Sequence, residues 1–223
     1  MLKHSRRILV AAVALLAGSQ VVAAQDTTKT AAETKASLAR RGAGINVGTW
    51  GMVDDPATGG AKSSESPLAE GWFRKGIDKH LALETTAGVW RRVIEVPASG
   101  GIGGSAGGKT TAILIPQMTS IKLYPFTVPE DEFEPFVSGG VGFTLGFQSQ
   151  SGGGGVLGNG GGTGLIVGVG ASGAAGVEWR FSTAFGLAVG AHYTYVQFFD
   201  DLAGERMYRG TGVKAGLTYR FQY

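Results

Sequence analysis

"GTGVKAGLTYRFQY", residues 210–223, carries two different faces. Thr211, Val213, Ala215, Leu217, Tyr219, Phe221 and Tyr223 fall on one parity, and Gly212, Lys214, Gly216, Thr218, Arg220 and Gln222 on the other. A β-strand sends successive side chains to opposite sides of its sheet. The stretch therefore reads as a strand with an apolar face ending in three aromatics and a polar face bearing two cations. The question it sets is what covers the apolar face.

The same period of two governs the chain from Gly42 onward. In "GLIVGVGASGAAGVEWRF" (164–181), Leu165, Val167, Val169, Val177, Trp179 and Phe181 oppose a parity rich in glycine, serine and two charges. "FGLAVGAHYTYVQF" (185–198) sets Phe185, Leu187, Val189, Tyr193 and Tyr195 against Gly186, Gly190, His192 and Thr194. "PFVSGGVGFTLGFQ" (135–148) sets Val137, Val141, Phe143, Leu145 and Phe147 against Ser138, Gly140, Gly142, Thr144 and Gly146. Further segments lie at about 42–53, 80–92 and 111–124, the last interrupted by Pro116, which suggests a bulge and leaves the direction of Gln117 open. "SPLAEGWFRKG" (66–76) alternates most weakly. That makes eight strands. Their connections alternate between short ("GIDKH", "TVPEDE", "STA") and long (near 54–67, 94–109, 149–163 and 199–209).

Composition narrows the class. The chain has 223 residues, 39 glycines, no cysteine and only 17% charged residues. Glycine averages about 7% in ordinary proteins. The first residues, "MLKHSRRILVAAVALLAGSQVVAAQD", place a basic segment before a short apolar one and small residues before Gln25, the pattern of a secretory signal cleaved after Ala24. Lys3, Arg6 and Arg7 leave with it, so the 20 Lys and Arg become 17 against 17 Asp and Glu. The pI of 9.2 thus reflects the leader and gives no support to nucleic-acid binding. Residues 25–41 are polar and alanine-rich and read as a flexible periplasmic segment before a barrel over 42–223.

A soluble sandwich would carry lysine and glutamate on its polar parity. Here that parity is small and mostly uncharged, and the aromatics of the other sit near strand ends. This is the pattern of a lipid-facing band flanked by aromatic girdles, with small residues in a narrow interior. Lipid cannot satisfy a bare strand edge, so such a sheet must close on itself. The fold expected is an all-β, eight-stranded antiparallel transmembrane barrel. Its fold-level rival is a soluble lipocalin-like barrel, whose apolar face would point inward.

"LALETTAGVW", "LIPQMTSIKLYPF", "PFVSGGVGF", "GAAGVEWRFSTAFGLAVGAHYTY" and the closing "LTYRF" resemble the small outer-membrane β-barrel proteins of Gram-negative bacteria, the OmpA-barrel, OmpX and OmpW type. The proline-containing segment leans towards the OmpW-like branch. The resemblance implies residence in the outer membrane among lipid and lipopolysaccharide. It also implies recognition of the terminal aromatic strand by the barrel-assembly machinery, and a structural or narrow-permeability role that includes passage of small hydrophobic compounds. A surface-interaction protein acting through its external loops is the alternative, and a barrel lipid hydrolase the third.

Parity sends Glu84, Lys122, Glu178, Arg180, Lys214 and Arg220 into the barrel. Two acids and four bases in a narrow interior need partners, so two bases are expected to turn to other acceptors. The first reading of these charges is a structural plug of ion pairs; the inward glycines, Gly44, Gly142, Gly168 and Gly190 among them, set against it the alternative of a selective polar path. Trp179, Tyr193, Tyr195, Tyr219, Phe221 and Tyr223 form the expected girdle and terminal assembly signal. His192 and Thr194 point inward, beside Glu178 if the strands pair in register. The His-x-Ser-Asn pattern of barrel lipid deacylases is not matched by "HYTYV", and no catalytic residue is expected. "GGIGGSAGGKT" imitates a phosphate loop but precedes a strand where a helix is required. "PEDEFEP" reads as a solvated acidic turn. With three histidines and no cysteine, no metal or cofactor site is expected.

Overall fold

In the computed structural model of the chain, the described residues are 40–52, 62–63, 66–96, 108–126, 133–151 and 165–221. The signal segment, residues 25–39, most of the two glycine-rich connections and Tyr223 lie outside them. Eight strands run in order: β1 (Gly42–Met52), β2 (Ser66–Gly76), β3 (Leu81–Val96), β4 (Gly108–Leu123), β5 (Phe133–Ser151), β6 (Leu165–Arg180), β7 (Phe185–Leu202) and β8 (Glu205–Arg220). A two-residue ladder, Lys62–Ser63 on Ile94 and Glu95, prolongs the β2–β3 pair.

Each strand pairs antiparallel with its sequence neighbours, and β1 pairs with β8, Ala43 opposite Tyr219. The sheet is closed and has no edge. Following the pairs from Ala43 through Phe73, Thr85, Thr119, Val141, Ala171 and Tyr195 leads back to β8 at Arg209. The circuit therefore returns ten residues from its start at Tyr219. A stagger of that size goes with strands tilted by about 35–45°.

The aliphatic parity faces outward. Ile45, Val47, Val141, Val189, Val213 and Leu217 are all exposed, the first two by 61% and 62%. Glu178, on the other parity, is 1% exposed. This excludes the lipocalin-like arrangement. On β8 the outward row runs Tyr219, Leu217, Ala215, Val213, Thr211, Arg209. With about 2.5 Å of axial rise per tilted residue, aromatic belt and first cation stand ~25 Å apart, the height of a barrel's apolar band.

Several local features refine the sequence reading. The β2 register is firm: Gly44 opposes Trp72, and Arg74 opposes Glu84. Pro116 causes no bulge, since Ala87–Gln117 and Trp90–Leu114 keep one register on either side of it. Pro116 points inward and Gln117 outward. The 199–209 stretch is a tight hairpin and not a long loop. β7 and β8 continue to a two-residue turn in which Ala203 (φ 52°) and Gly204 (φ 85°) both take positive φ, the type I′ geometry that suits strand twist. The register shifts between Gln197 and Leu202 and carries Leu202 into the interior. At the opposite end, Asp78 caps the β2–β3 turn, accepting from the backbone N–H of His80 (2.6 Å) and Leu81 (2.7 Å).

Candidate functional site: the barrel interior

The interior divides into three layers. The layer nearest the termini is ionic. Arg74 on β2 stands at its centre and donates to Glu84 from Nε (2.9 Å) and Nη2 (2.7 Å), and to Glu178 from Nη1 (3.0 Å) and Nη2 (2.7 Å). Lys122 Nζ reaches Glu178 at 2.6 Å and lies 3.7 Å from the centroid of the Phe136 ring. The Tyr124 hydroxyl adds a fourth donor to Glu178 at 3.3 Å. Below this, Glu134 receives Arg220 (2.7 Å), Arg180 (3.3 Å) and Arg40 (3.4 Å). Arg40 also lies over the Tyr124 ring, 3.8 Å from its centroid, and donates to the Lys79 carbonyl at 2.7 Å. Arg40 and Arg41, the described part of the 25–41 segment, are thus tied to the barrel, Arg41 through its carbonyl to Phe221 N–H.

Parity places Glu84, Lys122, Glu178, Arg180, Lys214 and Arg220 inside, and all six point there. The expected shortage of acids is corrected. Glu70 takes Lys214 at 2.9 Å, and Glu134 takes three arginines. Each of these cations has a carboxylate within ion-pair distance. Glu134 belongs to "PEDEFEP", so that run is not wholly a solvated turn: burial among cations holds its last acid inside. Glu70 and Arg74 lie on β2, the weakly alternating segment. The available signal was its parity: Ser66, Leu68, Glu70, Trp72 and Arg74 against Pro67, Ala69, Gly71 and Phe73.

The layer at the far end is apolar. Trp50, Leu68, Trp90, Leu114, Met118, Val196, Phe198, Leu202 and Tyr208 pack into one buried cluster. Trp50 stacks on Trp90 with centroids 5.3 Å apart, and Phe198 meets Tyr208 edge-on at 5.4 Å. The Tyr208 hydroxyl donates to the Leu202 carbonyl, closing the hairpin over the cluster. These large inward residues overturn the expectation of a uniformly small, polar interior.

They also correct the glycine reading. A Cβ at Gly44 would strike the Trp72 ring, at Gly168 the Phe198 ring, at Gly142 or Gly170 Met118, and at Gly190 Phe136. These inward glycines are seats for large side chains from strands one or two places round the barrel. Those side chains fill the lumen at these positions, against the polar-path alternative.

Between the two lies a polar middle layer: Asn46, Glu70, Ser120, Ser138, His192, Thr194 and Lys214. In the register found, His192 opposes Ala174 and Gly212, while Glu178 opposes Ala188. His192 therefore sits by the Glu70–Lys214 pair and not beside Glu178. It is 6% exposed and Thr194 2%, both facing inward, so neither meets the membrane surface as a lipid hydrolase would require. Among the described residues no group of three or more His, Cys, Asp or Glu is placed to hold a metal. After "GGKT" the chain continues as strand β4, which is no phosphate-loop context.

Outside, the termini end carries an aromatic belt. Phe73, Phe221, Tyr219 and Phe185 touch in series (6.0, 5.6 and 5.2 Å between centroids), as do Phe133, Trp179 and Phe181 (5.9 and 5.8 Å). Tyr193 and Tyr195 lie eight and ten residues above Phe185 on β7, at the far edge of the band.

A closed eight-stranded barrel with an apolar outer band and an ionic interior defines an integral outer-membrane β-barrel protein of the small kind. Among solved structures, the chain is similar to Neisserial surface protein A, with a TM-score of 0.51 and 12% identity over 82% of this chain and 97% of that one. It is also similar to Outer Membrane Protein W of E. coli (TM-score 0.45, 16% identity, 81% and 98% covered) and to the attachment invasion locus protein Ail of Yersinia pestis (0.43, 14%, 81% and 99%). No family model matches the sequence, and no curated protein matches it.

Proposed function

We propose that the protein is a structural outer-membrane barrel whose lumen is sealed. The observation that carries this is the pair of consecutive plugs. The Trp50–Trp90 cluster fills the lumen at the far end, and the Arg74–Glu84–Glu178–Lys122 network fills it near the termini. A solute crossing the lumen would have to separate these buried ion pairs, which is costly. The export signal at residues 1–24 and reading of the terminal aromatic strand by the assembly machinery belong to the same proposal. Lipopolysaccharide is then the partner at the external leaflet, and no catalytic residue has a role.

A second reading is favoured by one observation. The far end of the lumen is apolar and aromatic, which suits a small hydrophobic compound better than an ion. On that reading the ionic layer bars onward passage through the lumen.

Planar bilayer recording separates the two from an open pore. The sealed barrel leaves conductance at the bare-membrane baseline. Steady single-channel steps from the unmodified protein would overturn the proposal.

A further inference from the structure

Among the described residues, several interior side chains hold buried polar atoms that the plugs do not pair, and His192 is the one with two. Both its ring nitrogens, Nδ1 and Nε2, are buried without a hydrogen-bond partner from the protein. Its ring lies in the space left by Gly212, where a Cβ would meet Cε1. The side chain borders a cavity of about 30 Å³ that Ser120, Ser138, Ser172, Thr194 and Lys214 also line. A second cavity of about 20 Å³ lies towards the termini and shares Glu84, Ser138, Ala174 and Lys214 with the first. Trp90 and Met118 border the first on one side, and Arg74, Lys122 and Phe136 border the second on the other.

A buried polar atom left unpaired costs on the order of 1–3 kcal/mol, and nearly all such atoms in folded proteins have a partner. A neutral imidazole presents one donor and one acceptor. Its ligand must therefore both accept and donate. A halide only accepts and an alkali cation only coordinates lone pairs, whereas water does both. The serine and threonine hydroxyls around it are equally two-sided. A water needs roughly 10–15 Å³ of accessible space and two to four polar partners, and these cavities provide space for one or two waters each.

We propose that the middle of the barrel is an occluded hydration site. A small cluster of ordered waters links both nitrogens of His192 to the Glu70–Lys214 pair and the surrounding hydroxyls. The cluster is confined between the aromatic plug and the ionic one. Water exchanges with this chamber, but no continuous aqueous column crosses the barrel. The inference concerns the middle layer alone and stands apart from the proposed function, which conductance decides.

The test uses full-length mature protein in lipid nanodiscs, labelled with ¹⁵N at histidine. Of the three histidines, His4 leaves with the signal, so His80 and His192 remain, and a His80→Gln variant assigns them. Magnetisation transfer from water to the His192 ring is the readout. The proposal expects one protonated and one hydrogen-bonded bare nitrogen, both receiving transfer from water. Absence of transfer, or a ring bonded directly to Thr194 or Glu70, would overturn it. A bromide titration that moves the His192 shifts would also overturn it, by making the ligand an anion. In Ser172→Val, whose added methyls fill the chamber, the transfer should fall several-fold. Because the decisive reading is on the unsubstituted protein, failure of that variant to fold leaves the test intact.

Discussion

Glu178→Gln probes the ionic plug with the least change of shape. The carboxylate is 1% exposed and accepts from Arg74 at 2.7 and 3.0 Å, Lys122 at 2.6 Å and Tyr124 at 3.3 Å. Around Arg74, two carboxylates (Glu84 and Glu178) face two cations (Arg74 and Lys122). Glutamine keeps the volume but leaves one carboxylate for both. Arg74 retains its two bonds to Glu84 Oε2, and Lys122 is left with Glu84 at 3.5 Å. Breaking a buried ion pair from one side costs about 3–5 kcal/mol. The surviving Glu84 contacts put this case at the lower end, about 3 kcal/mol. With a urea dependence of about 1–3 kcal/mol per molar, the unfolding midpoint should fall by about 1–3 M. The assay is urea titration in lipid vesicles, followed by tryptophan fluorescence and by the gel mobility of the folded barrel. Adding Lys122→Met restores one charge to one charge and should recover at least half of the loss. A midpoint for Glu178→Gln indistinguishable from the parent would refute the reasoning. So would a double variant as weak as the sum of the two single changes, since coupled neighbours must depart from additivity.

Trp50→Ala removes a residue 1% exposed and stacked on Trp90, and should cost about 3–5 kcal/mol in the same titration. Bilayer conductance of that variant should stay at baseline, because the ionic layer remains. Gly212→Ala drives a Cβ into the Thr49 carbonyl and the His192 ring, and should destabilise by about 1–3 kcal/mol. Gly71→Ala, where nothing lies within 4 Å, should leave the midpoint unchanged within error. Val47→Arg sets a cation on the outer face inside the apolar band and should cost about 2–4 kcal/mol in a bilayer. Equal loss in Val47→Arg and Val47→Ala would contradict a lipid-facing position.

Alternation was enough to read the fold because most strands have one aliphatic face and one small face. β6, β7 and β8 show it over most of their length, and there the outward residues are those that parity selects; at the far end Val196, Phe198 and Tyr208 turn large side chains inward. β2 hides its place because its outward row, Pro67, Ala69, Gly71 and Phe73, is smaller than its inward one. Large apolar residues, Leu68 and Trp72, lie inside, so hydrophobicity no longer marks the lipid side. Arg74, the hub of the ionic layer, was lost with that strand. Glu134 was lost for another reason: acidic neighbours and a proline imitate a turn, while its cationic partners come from distant positions, Arg40, Arg180 and Arg220. What fills the space beside the inward glycines was hidden too. Inward glycines such as Gly44, Gly168 and Gly190 look like empty space until the structure shows which ring, Trp72, Phe198 or Phe136, occupies each one.

The central claim is that the aliphatic parity meets hydrocarbon. The chain has no cysteine, so single cysteines can be placed at Leu217 and Val47 without background. Spin labels there, in vesicles, should relax with oxygen dissolved in the bilayer and stay insensitive to a water-soluble nickel chelate. Labels that respond to the nickel chelate and not to oxygen would contradict the account.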